Sequence, residues 1–484
     1  MNTPKTRREF LSGIAFLTLL YSSQSGLGAE AKLPEATVTI DRATRYQTIE
    51  GFGFFGGADV WWSSPKAVWD ADWAEKVISD LGITIWRNEF YPPAIPGGAN
   101  QDADWEKQKP VVLGLKAAAA KHKVDLKFIA TIWSPPADLK WEAKMKWVGD
   151  KDAVRKEGVV STKNGGTLNP GKYKEYAYWL HSHLQLYKKE GIDIYALSLQ
   201  NEPAFSQPFN SCVYTSDWYN ELLIGVVPKV KAKFPKVKIF GSENMLEQEA
   251  SDKNYKYFYH SGLKANPEAA ENVDILAVHG YLDGVAASSG SELDKMWSNH
   301  EQQFTTPMKK QAWMTETSGY FDTWEKTNGK PGALDLARDM HSALFYGNLS
   351  AWVWWQGSQS RPDEFSLMSP TSTGKKYSVS KHYYRYIRPG AVRLKSTAGD
   401  PDLAVTAYES AAKKTQTIVI INSGSTDKTV SLAGKGLLGT FKMYRTNSQD
   451  ENCTFIQDVA SGEKGSFAVP AKTIVTLQGG GDAL

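Results

Sequence analysis

The sequence is poor in cysteine and has no excess of charge of either sign. Among its 484 residues, only Cys212 and Cys453 carry thiols, which is too few for a cysteine-based metal site. We expect the two thiols to be unpaired, because they fall in different predicted domains. The 56 basic and 53 acidic residues give a formal net charge of +3. This near balance lacks the basic footprint of a nucleic-acid-binding protein.

Several signatures of other protein classes are also missing. The sequence contains no HExxH zinc motif and no G-x-S-x-G nucleophile elbow. Gly51–Gly56 has the letters of a dinucleotide-binding loop, but bulky phenylalanines fill the turn, which argues against that function. The apolar run Ile14–Leu20 is too short to span a membrane comfortably. No other segment is typical of a membrane span, so we predict no membrane contact for the mature protein.

The first 31 residues have the pattern of an export signal. Arg7 and Arg8 precede the apolar run, and Ala29–Ala31 supplies an A-x-A cleavage site. The paired arginines resemble a twin-arginine signal, which exports folded proteins. We therefore predict a secreted protein with a signal peptide at residues 1–31, either periplasmic or extracellular.

Apolar stretches alternate with amphipathic ones through the middle of the sequence. Eight strands separated by helices favour a closed parallel (β/α)8 TIM barrel over an open sheet, and we place this α/β barrel at residues 49–388. The predicted strands are Thr48–Phe54, Ile83–Phe90, Leu126–Trp133, Ile194–Gln200, Val237–Ser242, Asp274–Tyr281, Gln311–Thr317 and Ala351–Gln356. The predicted helices are Val68–Leu81, Val111–His122, Lys172–Glu190, Trp218–Phe234 and Leu334–Tyr346.

The pattern changes after Arg388, where short β-forming runs alternate with turn residues. They predict a C-terminal side β-sandwich at residues 389–484. The alternating segment Thr37–Asp41 has no partner before the barrel, so we expect residues 32–48 to supply a strand to this side domain. The predicted strands are Leu403–Tyr408, Thr417–Ile421, Thr429–Leu432, Thr440–Tyr444 and Thr473–Leu477.

Two glutamates stand where predicted strands run out. Glu202 is followed by a proline, which cannot continue a central strand, and Glu316 closes the seventh strand. Taken alone, each residue is equally consistent with an acidic residue in a solvent-exposed loop after a strand. In a parallel barrel, however, the carboxyl ends of all strands share one face. Two carboxylates on that face are what hydrolysis of a glycosidic bond requires, one as proton donor and one ionised.

Other strand-end residues are candidates for substrate binding. Arg87 would lie beside Glu316 and favour its charged form, although an arginine can also pair with a structural acid. Glu89 is a rival catalytic carboxylate, and pairing with Arg87 is the alternative for it. Asn201 offers an amide to a sugar 2-hydroxyl. The remaining candidates are Trp133 as a wall of a sugar subsite, His279 as a substrate-binding residue, Tyr281 as a hydrogen-bond donor to the nucleophile, and Trp354 as a stacking platform. A position in the core is the alternative for the aromatic residues and for the lone histidine.

Four segments together resemble family 30 of the glycoside hydrolases, in the clan A retaining β-glycosidases. They are Leu199–Pro203, Trp313–Glu316, Gln47–Gly53 and the junction Tyr386–Gly390. The resemblance implies a barrel with a side β-sandwich built from both chain ends. It also implies Glu202 as acid/base, Glu316 as nucleophile, and no metal or organic cofactor.

The resemblance implies a β-linked glycan as substrate. We predict a retaining endo-β-glycanase, a polysaccharide-degrading hydrolase that acts on cell-wall xylan, with glucuronoxylan favoured, and we expect a monomer. In glucuronoxylanases of this family an arginine after the eighth strand contacts the glucuronate branch. Arg361 is the candidate here, but its spacing differs and Asp363 and Glu364 follow it. The alternatives are a β-1,6-glucanase, a β-1,6-galactanase, an exo-acting β-glycosidase, or a non-catalytic carbohydrate-binding protein.

Overall fold

A computed structural model describes residues 35–57, 60, 70–92, 100–250, 258–281, 290–361, 363–462 and 465–481. The export signal predicted over residues 1–31 lies outside the described residues, as does the start of the helix predicted from Val68. Within the described ranges, no helix combines the length and the apolar character that crossing a membrane requires.

The described strands, in chain order, are β1 Glu35–Thr48, β2 Gly51–Phe55, β3 Ile85–Glu89, β4 Lys127–Thr131, β5 Lys140–Lys144, β6 Val154–Lys156, β7 Thr167–Leu168, β8 Ile194–Ser198, β9 Lys238–Met245, β10 Ile275–Tyr281, β11 Gln311–Ser318, β12 Leu349–Trp354, β13 Val392–Ala398, β14 Leu403–Ser410, β15 Thr415–Asn422, β16 Lys428–Ala433, β17 Thr440–Thr446, β18 Asn452–Ala460, β19 Ser466–Val469 and β20 Thr473–Gly479. The described α-helices are α1 Ala71–Glu75, α2 Asn100–Lys121, α3 Tyr173–Lys189, α4 Ser216–Lys233, α5 Leu246–Ala250, α6 Tyr259–Ala265, α7 Pro267–Glu271, α8 Gly290–His300, α9 Thr306–Met308, α10 Ala333–Tyr346 and α11 Lys375–Tyr384. Segments of π-helix continue α1 over Lys76–Leu81 and α8 over Glu301–Thr305.

Eight parallel strands close into a barrel in the order β10-β11-β12-β2-β3-β4-β8-β9. Each of the eight predicted strands corresponds to one of them, so the predicted barrel is confirmed. Side chains alternate across each strand. Apolar residues such as Ile85, Ile129 and Ala277 fill the barrel, while their neighbours pack outward against the helices.

The glycine-rich segment at β2 serves strand packing. A Cβ atom at Gly53 would lie only 1.7 Å from the carbonyl oxygen of Ile85 on the adjacent strand β3. No side chain fits in that space, which explains the glycine without any phosphate ligand. The dinucleotide-loop interpretation of Gly51–Gly56 is therefore set aside on structural grounds as well.

The predicted helices are present as α1 with its continuation, α2, α3, α4 and α10. The segments between them contain more regular structure than was predicted. Helix α2 begins at Asn100, eleven residues before the predicted start, and continues through Pro110. Between β4 and α3, where no strand was predicted, β5, β6 and β7 form a small antiparallel sheet. Helix α11 was also not predicted.

The C-terminal strands form a side domain of nine strands in the order β18-β17-β20-β15-β14-β13-β1-β16-β19. They hydrogen-bond as one continuous sheet. Val430 on β16 and Met443 on β17 stand near opposite ends of this order but belong to the same apolar core. The sheet therefore curls over one core.

Strand β1 pairs antiparallel with β13 and parallel with β16, so the start of the described chain joins this sheet. Strands β13, β18 and β19 were not predicted. On β18, only Cys453 and Val459 are buried, and this leaves no regular apolar pattern. The limits 49–388 and 389–484 remain predictions. Cys453 and Cys212 are both buried free thiols, as expected.

Candidate active site

A cavity of about 1130 Å³ opens at the carboxyl ends of the barrel strands. Glu202 and Glu316 both line it, together with Asn201, Trp133 and Tyr281. Its apolar walls are largely aromatic. The aromatic lining residues are Tyr91, Trp133, Phe205, Phe209, Tyr281, Trp355 and Phe365.

Strand alternation carries most of the site residues to this cavity. On β3, Ile85 faces the barrel interior, and the same face continues through Arg87 to Glu89. On β10, the inward face that begins with Ile275 continues to His279 and Tyr281. The polar ends of these faces meet above the apolar core.

The two catalytic candidates face each other across the cavity. One carboxylate oxygen of Glu202 and one of Glu316 lie within 4.8 Å of each other. The two residues are almost fully buried, with 9% and 4% of their surface exposed. Glu202 has a left-handed backbone, with φ of 42°, which is costly for a residue with a side chain and recurs at functional sites.

Glu316 reaches the interior because β11 contains a bulge. Val278 pairs with Met314, but His279 pairs with Glu316, so Thr315 is an extra residue on β11. Without it, the alternation that points Trp313 inward would point Glu316 outward. Bulges beside active sites redirect side chains in this way.

Two donors hold the carboxylate of Glu316. Arg87 Nη1 donates to Oε2 at 2.5 Å, and the Tyr281 hydroxyl donates to Oε1. Burial raises the pKa of Glu316, while the positive charges of His279 and Arg87 act in the opposite direction. Burial also raises the pKa of Tyr281 well above its ordinary value, so its phenol stays a neutral donor.

His279 lies beneath the two glutamates and is fully buried. Its Nδ1 lies 3.0 Å from Glu202 Oε1, and its Nε2 lies 3.5 Å from Glu243 Oε1 and 3.9 Å from Glu316 Oε2. Burial alone would lower the pKa of His279. The charge of Glu316 and the hydrogen bonds to Glu202 and Glu243 outweigh burial and raise this pKa to about 9. His279 is therefore a cation at neutral pH.

Arg87 is also completely buried and does not line the cavity. Its Nη2 donates to Asn201 Oδ1 at 2.9 Å and to Glu243 Oε1 at 3.0 Å, and its Nε donates to Thr131 Oγ1 at 3.1 Å. The prediction that Arg87 lies beside Glu316 agrees with this geometry. Both Arg87 and His279 are fully buried and neither lines the cavity, so the structure places them behind the two carboxylates, and their contact with substrate stays a prediction.

Glu243 was missed by the sequence analysis. The fifth strand was predicted to end at Ser242, whereas β9 continues to Met245, and a third carboxylate stands beside the other two at a strand end. A search for acidic residues one position beyond each predicted strand end would have found Glu243. We call Arg87, Glu202, Glu243, His279 and Glu316 the upper cluster.

Trp354 is not a stacking platform. It lies in the core outside the barrel, where its indole N–H donates to the carbonyl of Phe365 at 2.7 Å. Ala351 and Val353 face inward on β12, so alternation brings Trp355, not Trp354, to the cavity. The Trp355 ring stacks on Phe55 with centroids 4.6 Å apart.

Arg361 is exposed and does not line the cavity. The loop after β12 folds back, and the backbone N–H of Gln356 donates to the carbonyl of Phe365 at 2.6 Å. This return places Phe365, rather than Arg361, at the mouth of the cavity. The structure thus does not bring Arg361 to the other candidate residues, and its contact with a glucuronate branch stays a prediction.

One wall of the cavity is formed by two loops, 161–166 and 205–213, which we call the loop wall. They are joined by backbone bonds and by Lys140, whose buried ammonium donates to the carbonyls of Ser161 at 2.9 Å and Ser211 at 2.8 Å. The wall approaches the acid/base candidate directly, since Gln207 Nε2 donates to Glu202 Oε2 at 3.4 Å. Its aromatic face is supplied by Phe205 and Phe209.

Glu202, His279 and Glu316 have the spacing of metal ligands, with one atom from each within 4.8 Å of the others. The donor set does not fit a metal ion. Arg87 and Tyr281 already occupy the carboxylate oxygens of Glu316, and the guanidinium of Arg87 would repel a cation at that carboxylate. The arrangement is that of an ion-pair cluster around two reactive carboxylates.

Comparison with known proteins gives a consistent result. The sequence model of the Glycosyl hydrolase family 30 TIM-barrel domain matches residues 101–359. Glucuronoxylanase XynC of Bacillus subtilis (strain 168) is 25% identical over 438 residues, which cover 87% of this chain and 86% of that protein. Two solved structures share the fold. The family 30 subfamily 8 xylanase Xyn30A of Clostridium acetobutylicum superposes with a TM-score of 0.70 at 19% identity, covering 91% of this chain and 99% of that one. An endo-β1,6-glucanase superposes with a TM-score of 0.68 at 19% identity, covering 92% and 94%.

The family match spans more than half of the chain. It covers the strands that carry Glu202, Glu243 and Glu316, and the superpositions extend the likeness in fold through the side domain. On these grounds, the chain belongs to glycosyl hydrolase family 30 and is a glycoside hydrolase.

Proposed function

We propose that this protein is a retaining endo-β-glycanase in which Glu202 is the acid/base and Glu316 the nucleophile. The observation that carries the proposal is the approach of their carboxylate oxygens to within 4.8 Å across the cavity. Retaining enzymes have carboxyl groups about 5–5.5 Å apart, whereas inverting enzymes separate them by about 6.5–9.5 Å to admit a water molecule. The separation here supports direct attack by a carboxylate.

In the first step, Glu316 attacks the anomeric carbon of the sugar and forms an ester with it. The bond from that carbon to the glycosidic oxygen breaks, and the leaving oxygen takes the proton of Glu202. Arg87 and Tyr281 hold the two oxygens of Glu316 in place, which fixes the angle of attack.

In the second step, a water molecule attacks the anomeric carbon and gives its proton to Glu202. The ester bond breaks and returns the carboxylate of Glu316. Two displacements on the same carbon restore the β-configuration. Asn201 supports both steps: Arg87 occupies its Oδ1, so its NH2 group remains as a donor for the sugar 2-hydroxyl.

Xylan is the substrate we favour, because a relative that matches 87% of this chain is a glucuronoxylanase. A neutral glycan such as β-1,6-glucan is the second candidate, and a specific observation favours it. Arg361, the arginine predicted to contact a glucuronate branch, is not among the residues that line the cavity.

Two variants test the catalytic assignment. Glu316→Gln is expected to reduce turnover by about four orders of magnitude, because the nucleophile is lost while substrate binding remains. Glu202→Gln should slow hydrolysis of polysaccharide by about a thousandfold, and less for an aryl glycoside whose leaving group needs no proton. Substantial residual activity of Glu316→Gln would exclude our nucleophile.

A glycan panel resolves the substrate. Glucuronoxylan, unbranched xylan, β-1,6-glucan and β-1,6-galactan are compared by product size, and proton NMR follows the anomer released first. We expect oligosaccharides of mixed length with the β-anomer first. Single sugars would indicate exo action, prompt α-anomer would contradict retention, and binding without hydrolysis would indicate a carbohydrate-binding protein.

We further propose that residues 1–31 direct export and are then removed. Cleavage after Ala31 would leave β1, which begins at Glu35, intact within the side-domain sheet. N-terminal sequencing of the secreted protein tests this, and gel filtration tests the expected monomer.

A further inference from the structure

Glu243 is a third carboxylate in the upper cluster that the two-step reaction does not use. It is fully buried and does not line the cavity. Its Oε1 accepts from Arg87 Nη2 at 3.0 Å and lies 3.5 Å from His279 Nε2. These are the same two cations that hold Glu316 and Glu202. Glu243 is thus connected to both catalytic residues through shared partners.

The backbone at Glu243 also indicates a function. Ala277 pairs with Ser242 and Val278 with Asn244, so Glu243 is the extra residue of a bulge on β9, with φ of 60°. A left-handed conformation is strained for a glutamate and persists only where the surroundings enforce it. The bulge turns this carboxylate into the barrel beneath the catalytic pair.

The balance of charge suggests what Glu243 does. Arg87 from β3 and His279 from β10 face three carboxylates: Glu202 after β8, Glu243 on β9 and Glu316 on β11. The phenols nearby, Tyr281 and Tyr219, are neutral because burial raises the pKa of each. Within the upper cluster, three acids therefore share two cations; of the other charged residues that line the cavity, Glu89 and Glu247 are acids and Lys163 is a base. One carboxylate is in excess, and a proton is the means of neutralising it.

We propose that Glu243 is a positioning residue that takes up part of the positive charge of Arg87 and His279, so that the pair Glu202 and Glu316 retains one proton near neutral pH. That proton is the one the leaving oxygen needs. The inference rests on the proposed function, since it assigns a role to Glu243 within that reaction. In this role, Glu243 acts through Arg87 and His279 and does not contact the substrate.

Glu243→Gln separates charge from geometry. The glutamine carbonyl can still accept from Arg87, but two acids now face two cations. Both limbs of the pH profile of kcat/KM should move to lower pH by about one unit. Activity at the wild-type optimum should fall by about tenfold. A purely structural role would lower kcat/KM without moving the limbs, and limbs within 0.3 unit of wild type would overturn the proposal.

Two further variants control this result. Glu243→Asp keeps the charge, so its limbs should stay near those of the wild type even if its kcat falls; a shift equal to that of Glu243→Gln would contradict us. Glu50→Gln removes a buried carboxylate at the opposite end of the barrel, where Lys127 pairs with it. It should leave both limbs in place.

NMR titration of His279 in the unaltered protein requires neither folding of a variant nor a substrate. With 15N-labelled histidine, His279 should remain protonated to about pH 9. A neutral His279 at pH 7 would remove the charge that Glu243 balances and overturn the proposal. If no glycan is hydrolysed, the proposed function fails, and this titration still tests the charge arrangement on its own.

Discussion

The barrel carries charged residues at both ends, and the two sets differ in which sign is in excess. At the amino ends of the strands, Glu50 accepts from Lys127 Nζ at 2.7 Å, from the Tyr195 hydroxyl at 2.6 Å and from Gln311 Nε2 at 3.0 Å. Lys238 Nζ lies 3.7 Å from the same carboxylate. We call Glu50, Lys127, Tyr195, Lys238 and Gln311 the lower cluster. It has one acid for two cations, whereas the upper cluster has three acids for two cations.

This difference in charge fits the proposed division, in which the upper end is reactive and the lower end is not. Burial alone would raise the pKa of Glu50, but Lys127 and the bonds from Tyr195 and Gln311 lower it to about 2. A carboxylate held in that way has no proton to give. In the upper cluster, the acids outnumber the cations, so one carboxyl group can stay protonated beside an ionised one. Acid-assisted displacement needs one carboxyl group in each of these two states. The ends of such barrels divide similarly between stability and catalysis.

Among the variants that test the difference between the two clusters, Glu50→Gln should have the largest effect, and that effect is on stability. Removing the carboxylate leaves Lys127 and Lys238 close together without a counter-charge. We expect the free energy of unfolding to fall by about 2 kcal/mol, less than for a fully buried pair, because Lys238 is partly exposed to water. Urea unfolding followed by tryptophan fluorescence measures this change.

The same variant should leave kcat and the pH limbs of activity unchanged, since the lower cluster touches no substrate. Glu243→Gln should do the reverse, moving the limbs. If Glu50→Gln moved the limbs as well, the two clusters would be coupled through the barrel, and the division of roles would be wrong.

A smaller effect is expected in the pH dependence of stability, where the two clusters respond to opposite extremes. The folded pKa of Glu50 lies below its ordinary value, so its contribution is present above about pH 4.5 and is lost as pH falls towards 2. The folded pKa of His279 is raised, so its contribution is complete below about pH 6.5 and is lost as pH rises through 9. The loss for Glu50, whose side chain is partly exposed, should amount to about 1–2 kcal/mol after allowance for solvent screening.

Thermal unfolding from pH 2.5 to 10 separates these contributions. Glu50→Gln should show a shallower decline on the acid side, because its titrating group is gone, with the alkaline decline unchanged. An acid decline identical to that of the wild type would mean that other carboxylates dominate at low pH. A flat alkaline side would contradict the charged state of His279.

The sequence predicted the barrel and the approach of the two proposed catalytic residues because both depend on local rules. Strand ends in a parallel barrel share a face, and this was enough to bring Glu202 and Glu316 together. It could not show the bulges: Glu243 is an extra residue on β9, and Thr315 is one on β11. Bulges arise from the closure of neighbouring strands and leave no mark in a hydrophobic pattern.

Alternation could have corrected one error. Ala351 and Val353 are small enough for the crowded barrel interior, whereas Trp352 and Trp354 pack outward. The same alternation, continued two residues beyond Val353, points Trp355 towards the cavity. The loop wall was beyond prediction, because Lys140 joins residues about 20 and 70 positions away by contacts that only the fold brings about.

The smallest predicted effect concerns Phe209 on the loop wall. Its ring lines the cavity and is 51% exposed, as expected for a flat apolar surface that binds a sugar ring. The wall follows Glu202, the proposed proton donor to the leaving group, so Phe209 should contact the departing part of the glycan. Phe209→Ala should raise KM for polysaccharide about fivefold, since an aromatic contact contributes about 1 kcal/mol.

Phe455 offers a matched control, because its ring is 50% exposed but lies on β18 of the side domain. Phe455→Ala should leave KM unchanged. For an aryl glycoside with a small leaving group, Phe209→Ala should also have little effect, since nothing in that substrate extends along the loop wall. An equal rise in KM for both substrates would instead place Phe209 on the other side of the scissile bond, and the direction in which the glycan lies across the upper cluster would have to be reversed.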